Sequence, residues 1–304
     1  MGKVAFLFSG QGAQYVGMGR ELYENSPAAR VVFDAAELIR PGTVELCFSG
    51  SEQELAKTVN AQPCIFCVGL AAAAAITEAG VAADVLAGFS VGELAALAFS
   101  GAVSYDDGFR LVCKRGELMQ GASDVVSTGM AAVLKLSDDV VISLCAEFDN
   151  VYPVNFNCDG QVVVAGGSDE MGLFMQRVKE GGGRAMPLKV SGGFHSPFMA
   201  DAAAGFAGVL ESYNIGNPRL PLYSNVTALP YGNDIAGLLV KQMFSPVLWK
   251  TVVLNLIAAG VDTFIEVGPG KTLCGFVSRI SSEVRVFNVE DCESLAKAEL
   301  GIRS

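Results

Sequence analysis

The residues best placed to do chemistry in this sequence are Gly88-Phe89-Ser90-Val91-Gly92, which follow the apolar run Val85-Leu-Ala and precede Glu93-Leu-Ala-Ala-Leu. An apolar run, a serine between glycines and an Ala/Leu-rich helical pattern read as strand, sharp turn and helix. In a G-x-S-x-G elbow the glycines permit tight packing, and the turn pushes the serine hydroxyl clear of its own backbone. Ser90 is therefore a candidate nucleophile. The plainer alternative is an ordinary βα loop in which Ser90 caps the following helix. A serine hydroxyl is a weak nucleophile at neutral pH and needs a base. The sequence holds one histidine, His195, in the small-residue loop Gly192-Gly193-Phe194-His195-Ser196-Pro197. It is the only imidazole that can serve. A lone histidine is more often a surface or satisfied core residue, but loops of this kind line clefts between domains.

Three further motifs carry weaker signals. Lys3-Val-Ala-Phe-Leu-Phe8 reads as a buried parallel strand that ends in the turn Gly10-Gln11-Gly12. The turn fails the dinucleotide fingerprint, because Tyr15 stands where G-x-G-x-x-G needs its third glycine. It either presents backbone N–H groups, such as that of Gln11, to a ligand oxygen or is a simple tight turn. Arg115 lies in a helical pattern, where a solvated face is the ordinary reading. Cys64 and Cys67 form the only C-x-x-C, inside the apolar stretch Pro63-Cys-Ile-Phe-Cys-Val68, and read as buried core. No metal site is expected.

The elements that must position these residues follow from composition and order. The 304 residues are 51% hydrophobic and 17% charged, with a net charge of −11. That suits a large α/β core. An acidic chain without a Lys/Arg run argues against nucleic acid and anionic membrane surfaces. No signal peptide is evident, and the longest apolar run, Ile65–Ile76, is too short for a span, so a cytoplasmic protein is expected. A long Ala-rich helix is expected from Gln62 through Ala79. Between 126 and 190 the pattern reads β-α-β-β-α-β, a ferredoxin-like subdomain inserted into an α/β domain formed by 1–125 and 191–304. The larger part is expected to hold a mostly parallel sheet flanked by helices, with Val284–Val289 as its last strand.

Order along the chain separates the candidate reactions. An α/β-hydrolase places its histidine near the C-terminus after an acidic residue. Here His195 stands well short of the end, with the insert between it and Ser90. The whole pattern instead resembles the malonyl-CoA:acyl carrier protein transacylases of fatty acid synthesis. The matching stretches are Phe8-Ser-Gly-Gln-Gly-Ala-Gln14, Gln62-Pro63, Gly88-Phe-Ser-Val-Gly-Glu93, Arg115-Gly-Glu-Leu-Met119, Pro153-Val-Asn-Phe-Asn157, Gly193-Phe-His-Ser196, Gln242-Met-Phe-Ser-Pro-Val-Leu-Trp249 and Glu266-Val-Gly-Pro-Gly-Lys271.

The resemblance implies roles at matching positions. Ser90 is the acylated nucleophile and His195 the general base, its second nitrogen held by the backbone carbonyl of Gln242. The N–H groups of Gln11 and Val91 form an oxyanion hole. Arg115 clamps the malonyl carboxylate. Gln62, Met119 and Asn155 lie around the pocket, and Phe194 resembles the malonyl-selective pattern. Phe89 departs from the family, which usually carries His there. The resemblance implies ping-pong malonyl transfer from malonyl-CoA to the thiol of a transient partner, acyl carrier protein, by a monomer without cofactor. That carrier is acidic, so docking needs local positive charge; Lys189, Lys250, Lys271 and Arg279 are nearest the motifs. Two rivals are an acyltransferase or editing acyl hydrolase of a polyketide pathway on the same fold, and a non-catalytic carrier-binding module.

Overall fold

The computed structural model describes residues 2–190 and 192–303; Ser191, where the larger domain is expected to resume, lies outside them. Nine strands are present among the described residues: β1 (Lys3–Phe8), β2 (Val85–Gly88), β3 (Thr128–Leu134), β4 (Val151–Cys158), β5 (Gln161–Gly167), β6 (Arg184–Pro187), β7 (Leu222–Tyr223), β8 (Val261–Val267) and β9 (Arg285–Val289). Five form a parallel sheet in the order β7-β2-β1-β8-β9. The central strand shows why. From Val4 to Phe8 every side chain is buried, Phe6 and Phe8 on one face and Ala5 and Leu7 on the other. A strand apolar on both faces must be covered on both, as parallel sheets are. Helices Thr58–Glu78 and Gly92–Phe99 pack with Phe6 and Phe8, while Trp249–Ala258 and Thr272–Ile280 pack with Ala5 and Leu7.

The other four strands form an antiparallel sheet in the order β4-β5-β3-β6, with helices Asp138–Cys145 and Ser168–Glu180 between them in sequence. That is the ferredoxin-like order. Period-two alternation divides its faces. Ala131, Val133, Val162 and Val164 pack with Phe174 and Val178 of the second helix, whereas Met130, Ala132, Asn155 and Val163 face a cleft toward the parallel sheet. The smaller sheet is tied by main chain to the segment that leads into helix Trp249–Ala258, Phe156 N–H to the Val247 carbonyl and Val247 N–H to that of Val154 (3.0 and 2.9 Å).

Two expectations change at their ends. The Ala-rich helix begins at Thr58 rather than Gln62 and carries Pro63 inside it. Its first turn is secured by the Gln120 side chain, which accepts from Thr58 N–H at 2.9 Å, so the bond that proline removes is not decisive. This helix is long and apolar enough to cross a membrane, but 83% of its most apolar window is buried inside the fold, which accounts for its composition. After β9 the chain forms a helix, Cys292–Arg303, that the residue pattern did not announce; Ala298 and Ile302 join the main core.

Candidate active site

β2 runs directly into the elbow, and Ser90 stands at its apex with φ +52°. A Cβ on Gly88 would lie 2.1 Å from the carbonyl of Gly92, and one on Gly92 would lie 2.2 Å from the carbonyl oxygen of Phe8. Neither position accepts a side chain without moving backbone, so the two glycines let the elbow helix press against β1. Four non-glycine residues among those described have positive φ, and Ser90 and His195 (φ +61°) are two of them. Such backbones persist where surrounding contacts over-determine them. For Ser90 those contacts come from two distant side chains. Asn225 accepts from Ser90 N–H and donates to the Gly88 carbonyl, both at 2.7 Å, and the Gln242 amide donates to the Ser90 carbonyl at 2.9 Å.

Ser90 and His195, 105 residues apart, meet with Oγ 2.7 Å from Nε2. On the other side of the ring, Nδ1 lies 2.7 Å from the Gln242 carbonyl oxygen. A carbonyl can only accept, so Nδ1 carries the proton and Nε2 is the free base aimed at the hydroxyl. His195 is buried. Burial first, and the neighbouring Arg115 charge second, hold its imidazole down at about 4, so the base is neutral at physiological pH.

Arg115 comes from helix Tyr105–Val125 and is 1% exposed, which overturns its reading as a solvated face. One guanidinium nitrogen donates to Gln62 Oε1 and the other to Gln242 Oε1, both at 2.8 Å; the second also lies 3.4 Å from Ser90 Oγ. Among the described residues it forms no ion pair with a carboxylate. Burial lowers its pKa to about 10, still well above neutrality. A desolvated guanidinium beside a nucleophile, held in place by two neutral amides, is a ready receptor for a small carboxylate.

The cleft in front of the pair encloses about 710 Å³. Gln11, Gln62, Met119, Asn155 and Phe194 line it with Ser90 and His195. Val91 opens the elbow helix just behind. Neither Gln11 nor Val91 donates its backbone N–H to a protein acceptor among the described residues. Met119 Sδ accepts from the Gln62 amide at 3.3 Å, packing the pocket floor. Phe89 packs against Trp249 and Phe276 with ring centroids 5.4 and 6.3 Å away, filling an aromatic site where a histidine would bring a polar ring.

Residue reasoning missed part of the site. Asn157 also lines the cleft, and its buried Oδ1 has no hydrogen-bond partner. Its signal was present, since Asn155 and Asn157 are two apart on β4 and share a face. Asn225 and Glu93 had no local signal, because their roles depend on contacts over more than 130 positions.

The elbow on a parallel sheet, the serine–imidazole contact and the antiparallel sheet across the cleft define an acyltransferase, and the acyl transferase domain family matches residues 5–299. The chain belongs, more narrowly, to the malonyl-CoA–acyl carrier protein transacylases. It is 40% identical to the Bacillus subtilis malonyl CoA-acyl carrier protein transacylase, covering 98% of this chain and 96% of that protein. The crystal structure of the Clostridium perfringens transacylase matches with TM-score 0.94 and 39% identity over 99% of this chain and 97% of that one. A type II polyketide-synthase acyl-carrier protein has been solved in complex with its malonyl-transacylase, and that structure matches with TM-score 0.95 and 33% identity over 98% of this chain and 99% of that one. These relatives bear the transacylase name, which leaves the hydrolase and binding-module readings without support.

Proposed function

We propose that this protein moves a malonyl group from malonyl-CoA to the phosphopantetheine thiol of acyl carrier protein through an ester on Ser90. The observation that carries this reading is the alignment of Ser90 Oγ, His195 and the Gln242 carbonyl beside a buried guanidinium that holds no protein carboxylate. The malonyl carboxylate pairs with Arg115, which sets the thioester carbon over Ser90. Nε2 of His195 takes the hydroxyl proton as Oγ attacks, and the thioester oxygen becomes an oxyanion between the N–H groups of Gln11 and Val91. The tetrahedral intermediate collapses, the C–S bond breaks, and the imidazolium returns its proton to the departing CoA sulfur. In the second half the carrier thiol gives its proton to His195 and attacks the ester, the C–O bond breaks, and Ser90 recovers a proton. Phe194 and Met119 close the acyl pocket, and Asn155 borders the cleft toward the smaller sheet. Docking the acidic carrier falls to Lys189, exposed on the cleft, and exposed Lys271. Lys250 and Arg279 are engaged within the protein, Lys250 with Asp138 and Asp159, Arg279 with Gln161 and the Asp159 carbonyl.

Intact mass after mixing with malonyl-CoA tests the reading. A malonyl adduct is expected on the wild type, absent in Ser90→Ala and discharged by holo carrier protein. Arg115→Ala is expected to slow malonyl loading far more than acetyl loading. Failure of the wild type to form any adduct would remove the proposal.

A further inference from the structure

Glu93 takes no part in the steps above, yet it is a fully buried carboxylate in the first turn of the elbow helix. Three donors converge on it. Oε1 accepts from Tyr231 OH and from Asn225 N–H, and Oε2 accepts from the Gln242 side-chain amide. The opposite end of that amide, Gln242 Oε1, accepts from Arg115 at 2.8 Å. Burying a carboxylate is costly unless its oxygens are satisfied and a countercharge is near. Here the countercharge is Arg115, reached through one amide.

We propose that Glu93 is the positioning residue for the Arg115 clamp: by accepting from the Gln242 amide it turns that amide's oxygen toward Arg115, and so fixes the guanidinium without capping it with a carboxylate. An amide has one donor end and one acceptor end. With its N–H groups committed to Glu93 and the Ser90 carbonyl, Gln242 can offer Arg115 only oxygen. A carboxylate in direct contact with Arg115 would occupy the donors a malonyl carboxylate needs. One amide away, and ionised above about pH 7, it supplies the balancing charge while the guanidinium donates only to neutral groups, Gln62, Gln242 and Ser90, that a malonyl carboxylate can displace. Tyr231, brought in by the segment after β7, fixes the carboxylate from the far side. The groups around Glu93 are thus Tyr231, Asn225, Gln242 and, beyond them, Arg115 and His195.

The inference rests on Arg115 receiving the malonyl carboxylate, and the test separates the two ideas. Glu93→Gln keeps size and removes the charge. Its single oxygen is claimed by the backbone N–H of Asn225, which cannot turn away. Its new N–H group then faces the Gln242 amide, forcing that side chain to invert and present a donor to Arg115. Rates of Ser90 acylation by malonyl-CoA and acetyl-CoA are measured by intact mass at pH 8 in the wild type, Arg115→Ala, Glu93→Gln and the double variant, with circular dichroism as the check on folding. The malonyl-to-acetyl ratio should fall about tenfold in Glu93→Gln, the size of a lost hydrogen bond to a charged group. It should fall no further when Glu93→Gln is added to Arg115→Ala. Tyr231→Phe, which retains the charge, should lower the ratio in the same direction by a smaller factor and serves if Glu93→Gln does not fold. An unchanged ratio in Arg115→Ala would overturn the clamp and the inference together. A selective loss in Arg115→Ala with an unchanged ratio in Glu93→Gln, or in Tyr231→Phe where that variant stands in, would overturn the role of Glu93 alone.

Discussion

At the scale of single residues, His195 and Glu93 carry opposite linkages to pH. His195 falls from an ordinary 6.5 to about 4, through burial and then the charge of Arg115. The acid limb of kcat/KM for acylation should therefore lie below pH 5; a limb centred near 6.5 would mean that the base is not this buried imidazole. The same shift bears on stability. Between 4 and 6.5 the unfolded histidine is protonated and the folded one is not, so stability rises with pH across that window. Glu93 is pushed the other way, from 4.5 to about 7, by burial, against the hydrogen bonds from Tyr231, Gln242 and Asn225. Between 4.5 and 7 the folded carboxyl keeps a proton the unfolded one has lost, so stability falls as pH rises. From 4.5 to 6.5 the two slopes oppose and largely cancel. Glu93→Gln removes one of them. Its unfolding free energy, measured in urea at a series of pH values, should rise relative to wild type by about 1.4 kcal/mol per pH unit across that window. Parallel curves for the two proteins would show that Glu93 does not titrate there.

At the scale of elements, the elbow is a close approach between β1, β2 and helix Gly92–Phe99. Gly92→Ala places a methyl 2.2 Å from the Phe8 carbonyl oxygen, a contact that only backbone movement relieves. Because that movement would lift the helix from β1, the variant should lose about 1–3 kcal/mol of stability and acylate far more slowly at 25 °C even where it is fully folded. Wild-type acylation in a folded Gly92→Ala protein would show that the packing does not set the serine's aim. The positions flanking Ser90 were legible from residue types alone, because a serine between two glycines after an apolar run is a local pattern, although the contact that Gly92 relieves is with the distant Phe8 carbonyl. So were β1 and the alternating strands of the smaller sheet, whose buried faces leave a period in the sequence. The ends of helices were less so. Pro63 suggested a start at Gln62, but the side chain of Gln120, 62 residues away, caps a turn that begins at Thr58. Helix Cys292–Arg303 was hidden because its apolar residues do not all face the core: only Ala298 and Ile302 are buried, and Leu300 is exposed.

At the scale of the whole molecule, the same contrast separates the residues to which chemistry is assigned from those that hold them. Ser90 between its glycines, the lone His195 and the stretch that begins at Arg115 each stand out in the sequence. Asn225, Gln242 and Glu93 act across more than 130 positions and are ordinary polar residues until the chain closes. Charge is the last property that belongs to the molecule as a whole. With a net charge of −11, the protein repels an acidic carrier at long range, so association depends on a few local cations. Of the four nearest the motifs, Lys250 lies 2.5 Å from Asp159 and 3.3 Å from Asp138, bridging helix Trp249–Ala258 to the β4–β5 turn and to the start of helix Asp138–Cys145. Its charge is therefore already answered. Lys189 and Lys271 are exposed, the first on the cleft and the second at the start of helix Thr272–Ile280. Loading Ser90 with malonyl first and then adding holo carrier protein isolates the second half-reaction from any contact with CoA. In that assay Lys189→Glu and Lys271→Glu should each slow transfer several-fold at low salt, and the deficit should shrink as salt screens the interaction over about 10 Å or less. Lys250→Glu sets a third acid against Asp138 and Asp159, and should lower thermal stability instead. If all three variants slowed transfer equally at every ionic strength, the carrier would be docking through something other than these charges.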